Sequence, residues 1–409
     1  MTTEPDGSGP AARGRAARGG APGRRARAYA LAAMAAAAVA AIALAGPPAR
    51  AEGTQARTFA GSIQLDYLAV PTEAKARRFT LDGATVELSL KLNVDLSPSA
   101  SASVKVCFSC HGFEAGMAYV DLRAADELRL RVGRMTPSFG AFPQRHDPAN
   151  HKTSDKPLPY DMGRMLRRGD WNEGILPAPW VDNGVELGGT HFFENGQLDY
   201  AAFVMGGPKA DQGAADFDFT LSRSGEQYYL DNNSQPMAGG RLGGAFELRG
   251  HGTMALGASV MAGTYDPDAR LRFAIGGLDA MLDLHWLILR GEYLLRRTEM
   301  ALGADPAARF KYGPGADGTY ADYFVKDGFY VEAEVPISRV DLVARWDGLR
   351  RIGNVLASSL LSDDASLLRY TAGAAVRFGA IRVKGSVELY DFRDFDRELA
   401  VHLGLATPF

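Results

Sequence analysis

Ala84-Thr85-Val86-Glu87-Leu88-Ser89-Leu90-Lys91-Leu92-Asn93-Val94-Asp95-Leu96 alternates without a break: each even position is apolar and each odd one polar. A repeat of two is the period of a β-strand with one dry and one wet face. Thirteen such residues exceed the usual soluble strand and suffice to cross a bilayer at a tilt.

The pattern recurs along the chain. Phe329, Val331, Ala333 and Val335 alternate with Tyr330, Glu332 and Glu334. Tyr370, Ala372, Ala374, Val376 and Phe378 alternate with Thr371, Gly373, Ala375 and Arg377. Leu289, Tyr293 and Leu295 face away from Arg290, Glu292 and Arg296, and the chain ends on Leu399, Val401, Leu403, Leu405 and Phe409. Fifteen strands are expected, at 58–70, 80–97, 114–123, 127–136, 182–191, 197–206, 239–249, 252–264, 271–283, 286–297, 328–336, 339–349, 368–378, 381–391 and 398–409. Ser101–Cys107 supplies a sixteenth, third in order, and single-chain bacterial barrels have even strand numbers. Connections from odd to even strands are then long at 137–181, 207–238, 298–327 and 350–367. Those from even to odd are short, as at Asn195-Gly196. Long outer loops alternating with short periplasmic turns are what a barrel requires. The expectation is an all-β, single 16-stranded antiparallel transmembrane barrel in a bacterial outer membrane.

Averages hide this. The 409 residues are 46% hydrophobic and 23% charged with net charge −3, and mean hydropathy is −0.14. These values exclude a collagen-like, disulfide-dense or wholly disordered chain. Only Ala28 to Ala45 runs 18 residues without charge, which excludes a polytopic helical membrane protein. The balance is not basic enough to imply nucleic acid.

That uncharged run follows Arg13, Arg15, Arg18, Arg24, Arg25 and Arg27 and precedes Ala49-Arg50-Ala51. A basic region, an apolar region and an Ala-x-Ala site read as a secretory signal peptide over 1–51, leaving 52–409 as the barrel. An uncleaved anchor helix is the competing reading. Residues 1–51 carry a net charge of +5, so the remainder carries −8.

Glu-Leu-Arg-Leu-Arg-Val-Gly-Arg-Met-Thr-Pro-Ser-Phe-Gly (127–140) and the preceding Ala-Tyr-Val-Asp-Leu-Arg (118–123) resemble the strands that enter the constriction loop of the phosphate-selective porin family. Asp182 to Gly189 and Leu198 to Gly207 resemble the next hairpin of those porins. The resemblance implies a 16-stranded barrel, commonly trimeric, whose third long loop (here 137–181) folds inward and narrows the pore for small solutes or ions. Phosphate selectivity is not carried over. The lumen positions mix Lys91, Arg129, Arg131, Arg290, Arg296, Arg345, Arg377, Arg382 and Lys384 with Glu87, Asp95, Glu292, Glu332, Glu334, Asp341, Asp347 and Glu388, so no strong ion preference follows.

The only two cysteines stand in Cys107-Phe108-Ser109-Cys110-His111. This is the C-x-x-C-H pattern of covalent c-type haem, two thiols adding to the vinyl groups and His111 becoming the proximal iron ligand. Under this reading the chain is a porin carrying one haem c, with a role in electron transfer at the outer membrane. One haem cannot bridge a membrane about 30 Å thick, so a periplasmic or extracellular redox partner is implied. The 137–181 segment offers His151 and Met162 as distal ligands to the iron, alongside His146 and Met165. The alternative is a plain diffusion porin with a Cys107–Cys110 loop disulfide; a zinc site lacks further ligands. An enzyme ranks last, since Ser109 beside His111 is the only nucleophile pairing on offer. His191, His251, His285 and His402 read as ordinary polar positions, and the acidic loop 207–238 as solvated.

Overall fold

In the computed structural model the described residues are 56–69, 83–109, 112–161, 174–223, 230–358, 366–393 and 397–409. The signal peptide read at 1–51 lies outside them. Sixteen strands follow one another: β1 (Arg57–Ala69), β2 (Gly83–Ser97), β3 (Ala100–Ser109), β4 (Gly112–Ala125), β5 (Leu128–Met135), β6 (Asp182–Phe193), β7 (Gly196–Met205), β8 (Met237–Glu247), β9 (Thr253–Thr264), β10 (Arg272–Asp283), β11 (Ile288–Glu299), β12 (Tyr323–Ile337), β13 (Val340–Ile352), β14 (Ser366–Phe378), β15 (Ile381–Phe392) and β16 (Glu398–Pro408). Each pairs antiparallel with its neighbours and β1 pairs with β16, which closes the barrel. A closed sheet leaves no edge, so every strand can satisfy its backbone inside lipid. No helix among the described residues is long and apolar enough to cross a membrane.

Alternation sets the two faces. On β2, Val86 and Leu92 point out and are exposed, whereas Ser89 between them is buried inside. On β13, Leu342 and Trp346 point out while Asp341, Arg345 and Asp347 are buried. The exposed apolar side chains form the outward band that lipid covers. Closure is finished by the last residue, since Gly61 and Phe409 exchange backbone hydrogen bonds of 2.8 and 3.0 Å. Phe409 also packs on Phe59 with ring centroids 6.1 Å apart.

The expected strands all form, and the third in order, drawn from only seven residues, runs from Ala100 to Ser109. The largest boundary shift is at β12, which begins at Tyr323 instead of 328. Phe324 and Lys326 are buried against loops within the lumen, so the apolar-out, polar-in rule that places strand starts is blurred there.

Candidate functional site

The segment after β5 does not stay outside. Ser138 donates its N–H to Glu186 of β6 (2.7 Å), and Gly140 donates to Ser259 of β9 (3.0 Å). Glu292 of β11 then accepts four donors: the N–H groups of Ala141 (3.1 Å) and Phe142 (2.7 Å), and the hydroxyls of Tyr160 (2.5 Å) and Tyr330 (2.6 Å). A carboxylate accepts about four hydrogen bonds, so Glu292 is saturated. Gly140 has φ +64° and faces the Tyr160 hydroxyl, where a Cβ would collide; only glycine combines that φ with that approach.

Three 3₁₀ turns, Phe142–Arg145, Pro148–Asn150 and Leu158–Tyr160, carry the chain over the lumen. Prolines at or next to their first positions set φ for each turn. The far side is held by charge. Lys152 reaches Asp341 (2.9 Å) and Glu334 (3.1 Å), Asp155 pairs with Arg345 and with Arg369 (2.7 Å), and the Leu158 N–H donates to Asp347 (2.9 Å). Lys384 of β15 donates to Gln64 of β1 (3.0 Å) and to the Pro148 carbonyl (2.6 Å). The segment is therefore moored on β1, β6, β9 and β11–β15, which makes it a constriction rather than an exposed loop.

His146 and His151 lie within this mooring. Lys105 of β3 contacts both His146 Nε2 (3.3 Å) and the Asp147 carboxylate. His146 Nδ1 contacts the Pro143 carbonyl at 2.5 Å. The Lys105 ammonium can only donate, so Nε2 accepts and Nδ1 carries the proton. Burial, reinforced by Lys105, pushes the His146 imidazole down to about 3. His151 stacks on Phe142 with centroids 5.0 Å apart, and its Nε2 donates to the His146 carbonyl (2.9 Å). Burial, with Lys384 next, holds it well below the ordinary histidine value. For Asp155 burial acts upward, but Arg345 and Arg369 outweigh it and keep the carboxyl below its usual range.

A second inward loop packs beside the first. Phe217 and Phe219 join Ile175, Leu176 and Trp180 in one apolar cluster with Phe203, Met261 and Phe273 of the wall. Asp216 pairs there with Arg296 (2.9 Å) and Lys326 (3.3 Å). The acidic 207–238 loop is thus not simply solvated, contrary to the sequence reading, because its apolar residues draw Asp216 inside. The wall charges that keep contact with the aqueous lumen are largely neutralised in pairs: Arg131 with Asp121 and Glu186, Arg241 with Asp279, Arg290 with Glu332 and Glu334.

Of the three residues that would hold the haem, only Cys107 is described; Cys110, His111 and the distal candidates Met162 and Met165 lie outside the described residues. Cys107 is a free thiol on the inward face of β3, opposite Ser89 and Glu114. β3 stays paired with β4 through Ser109 and Gly112. Positions i and i+3 share a face on a helix but not on a strand, and β3 is strand as far as Ser109. His151 is committed to Phe142 and the His146 carbonyl.

His402 departs from the reading as an ordinary polar position. It is fully buried on β16, 3.7 Å from Glu388 of β15. Asp155, Glu388 and His402 bring one ligand atom each within 4.8 Å of one another. Arg345 and Arg369 already neutralise Asp155, and two guanidinium groups there repel a cation. The cluster is a mooring for the inward segment. Sequence inspection missed Lys105, Asp155, Tyr160 and Arg369 as anchors; the one usable signal was an inward charge at each strand position facing the loop.

Solved structures share this architecture at low identity. The anion-selective porin from Comamonas acidovorans matches with TM-score 0.53 and 11% identity, over 87% of this chain and 100% of that one. OmpF of Salmonella typhi, in complex with daunomycin, matches with TM-score 0.55 and 13% identity, over 86% and 97%. The outer membrane channel DcaP of Acinetobacter baumannii matches with TM-score 0.52 and 10% identity, over 88% and 99%. No family model and no curated protein matches the chain in sequence. The fold is that of an outer-membrane porin barrel.

Proposed function

We propose that this chain is a passive diffusion channel of a bacterial outer membrane, admitting small hydrophilic solutes past a fixed constriction. The observation that carries the reading is the mooring of the 136–161 segment on both sides of the lumen, by Glu292 on one side and by Arg345, Arg369 and Lys384 on the other. The paired wall charges favour weak ion selectivity. The solute crosses without chemical change, and porin neighbours of the same fold support that. Assembly as a homotrimer belongs to this reading, on the porin resemblance, and chemical cross-linking in detergent checks it. Liposome swelling in sugars of increasing size tests the function. Uptake is expected for small sugars and lost for larger ones; swelling no faster than that of empty liposomes would sink the reading.

A haem-bearing porin is the second reading. The Cys107-x-x-Cys110-His111 spacing and the free inward thiol of Cys107 favour it; the strand geometry at Ser109 does not. If bound, the group would be held by Cys107 and Cys110 with His111 on the iron, and it would supply one-electron redox chemistry.

A further inference from the structure

Outward positions of a barrel normally carry apolar side chains, because charge on the lipid face is destabilising toward the midplane and tolerated only near the interfaces. The outer ends of β6–β9 carry no charge there, with Val185, Val204, Ala238 and Ala262 on that face. The outer ends of β10–β13 do. Thr298, Lys326 and Arg351 are buried inside, so by alternation Arg297, Asp327 and Arg350 point outward, as does Arg272 beside buried Phe273. Arg397 stands apart, paired with Asp391 beyond β15.

These charges are arranged to show one sign. Arg350 is paired with Asp327 through Nε (3.0 Å) and Nη2 (2.5 Å), and Tyr293 also donates to Asp327 (3.1 Å). The Arg350 side chain is 56% exposed and the Asp327 carboxylate 10%. Arg297 pairs with Glu299 at 3.2 Å, the two being 48% and 26% exposed. Its guanidinium lies 4.2 Å over the Tyr323 ring, a cation–π contact that leaves its edge free to donate. The Glu299 carboxylate also accepts the Arg272 N–H (3.2 Å). Each acid is less exposed than the guanidinium it orients, which stays in contact with the surroundings.

Depth completes the pattern. Trp346 lies four residues below Arg350 on the same face, about 13 Å along the strand, and Phe329 two residues below Asp327. Phe329 meets Trp346 edge to face and Trp346 stacks on Tyr370 across β12–β14, with centroids 4.8 and 6.5 Å apart. An aromatic belt marks the interface of a membrane barrel, so the arginines stand at or above it, at the depth of lipid headgroups. Planar guanidinium forks match phosphate bidentately.

We propose that the outward face of β10–β13 binds a phosphorylated lipid of the outer leaflet, its phosphate groups met by Arg297 and Arg350, with Arg272 nearer the rim, and its acyl chains lying against the aromatic belt below. The proposal is independent of what passes through the lumen.

The test uses the full-length protein purified in detergent and mixed with bis-phosphorylated lipid A or the same lipid dephosphorylated. Native mass spectrometry reads the bound lipid. The wild-type protein is expected to retain the phosphorylated form and not the dephosphorylated one. Arg297→Ala/Arg350→Ala is expected to lose that adduct, and Arg297→Lys/Arg350→Lys to recover part of it. Arg339→Ala, in the turn at the opposite rim, should bind as wild type. Equal retention of the two lipids by the unmutated protein overturns the proposal even if the double variant fails to fold. So does an unchanged adduct on a folded double variant, or a variant whose only change is loss of subunit association, which would assign the face to a second copy.

Discussion

The Tyr160 hydroxyl lies 2.5 Å from Glu292 Oε2, and that bond joins the end of the inward segment to the wall of β11, 132 residues further along the chain. The same carboxylate accepts the Ala141 and Phe142 N–H groups, so both ends of the segment meet at one side chain. Glu292→Ala should therefore loosen the constriction without opening the barrel. Each donor left unsatisfied costs about 1–3 kcal/mol. Larger sugars are expected to enter liposomes bearing the variant, while heat-modified mobility on gels stays that of a folded barrel. An unchanged size limit would mean that Glu292 is not the latch.

Acid should act on the same segment from its other side. His146 is held down to about 3 and His151 well below its ordinary value. A loop that leaves its seat regains imidazoles of ordinary pKa, near 6.5. Between about pH 6.5 and 3 the released loop binds protons that the seated loop refuses, so seating weakens as pH falls through that window. Asp147 and Asp155, both held low by neighbouring cations, add to the loss only at the acid end. Open-channel noise and solute uptake should both rise on going from pH 7 to pH 4. His146→Gln/His151→Gln should flatten the response; a variant as acid-sensitive as wild type would remove the histidines from the account.

The barrel was legible in the sequence because alternation is a local property. Ala84 to Leu96 shows it without reference to any other strand, and lipid outside repeats the rule for all sixteen strands. The constriction was legible only in outline, through resemblance and loop length. Its anchors were not, because Lys105, Asp155, Arg369 and Lys384 look like any inward polar position until a loop arrives opposite them. His402 reads as a strand residue in a polar phase, and nothing local says that it is sealed under Asp155. The cysteine motif is legible in sequence as a spacing alone. Its spacing is specific, but spacing does not say on which element the two thiols stand; Cys107 lies on β3, and Cys110 and His111 lie outside the described residues.

Removal of Arg369 should be costly. It is fully buried and pairs with Asp155 (2.7 Å) and Asp347. Arg369→Ala leaves buried carboxylates short of a counter-charge, a change worth about 3–5 kcal/mol. The urea midpoint of the folded barrel should drop well below that of wild type. Arg369→Met in the same assay should also lose stability, since Lys156 and Asp347 would keep unmatched acceptors. A midpoint equal to that of wild type in both variants would show that the network is not structural.

The haem reading has its own direct check. A pyridine haemochrome spectrum, taken after expression with the cytochrome c maturation apparatus, should show no c-type band if the channel reading is complete. A band that survives denaturation and disappears in Cys107→Ser/Cys110→Ser would establish the second reading beside the first.

Single-channel recording in planar bilayers bears most directly on the central claim. Wild-type protein should insert in discrete steps of ohmic, weakly ion-selective conductance, and Glu292→Ala should give larger steps under the same salt. Insertion of folded barrels that carry no measurable current, or identical steps in the two proteins, would contradict a diffusion channel gated in width by the moored segment.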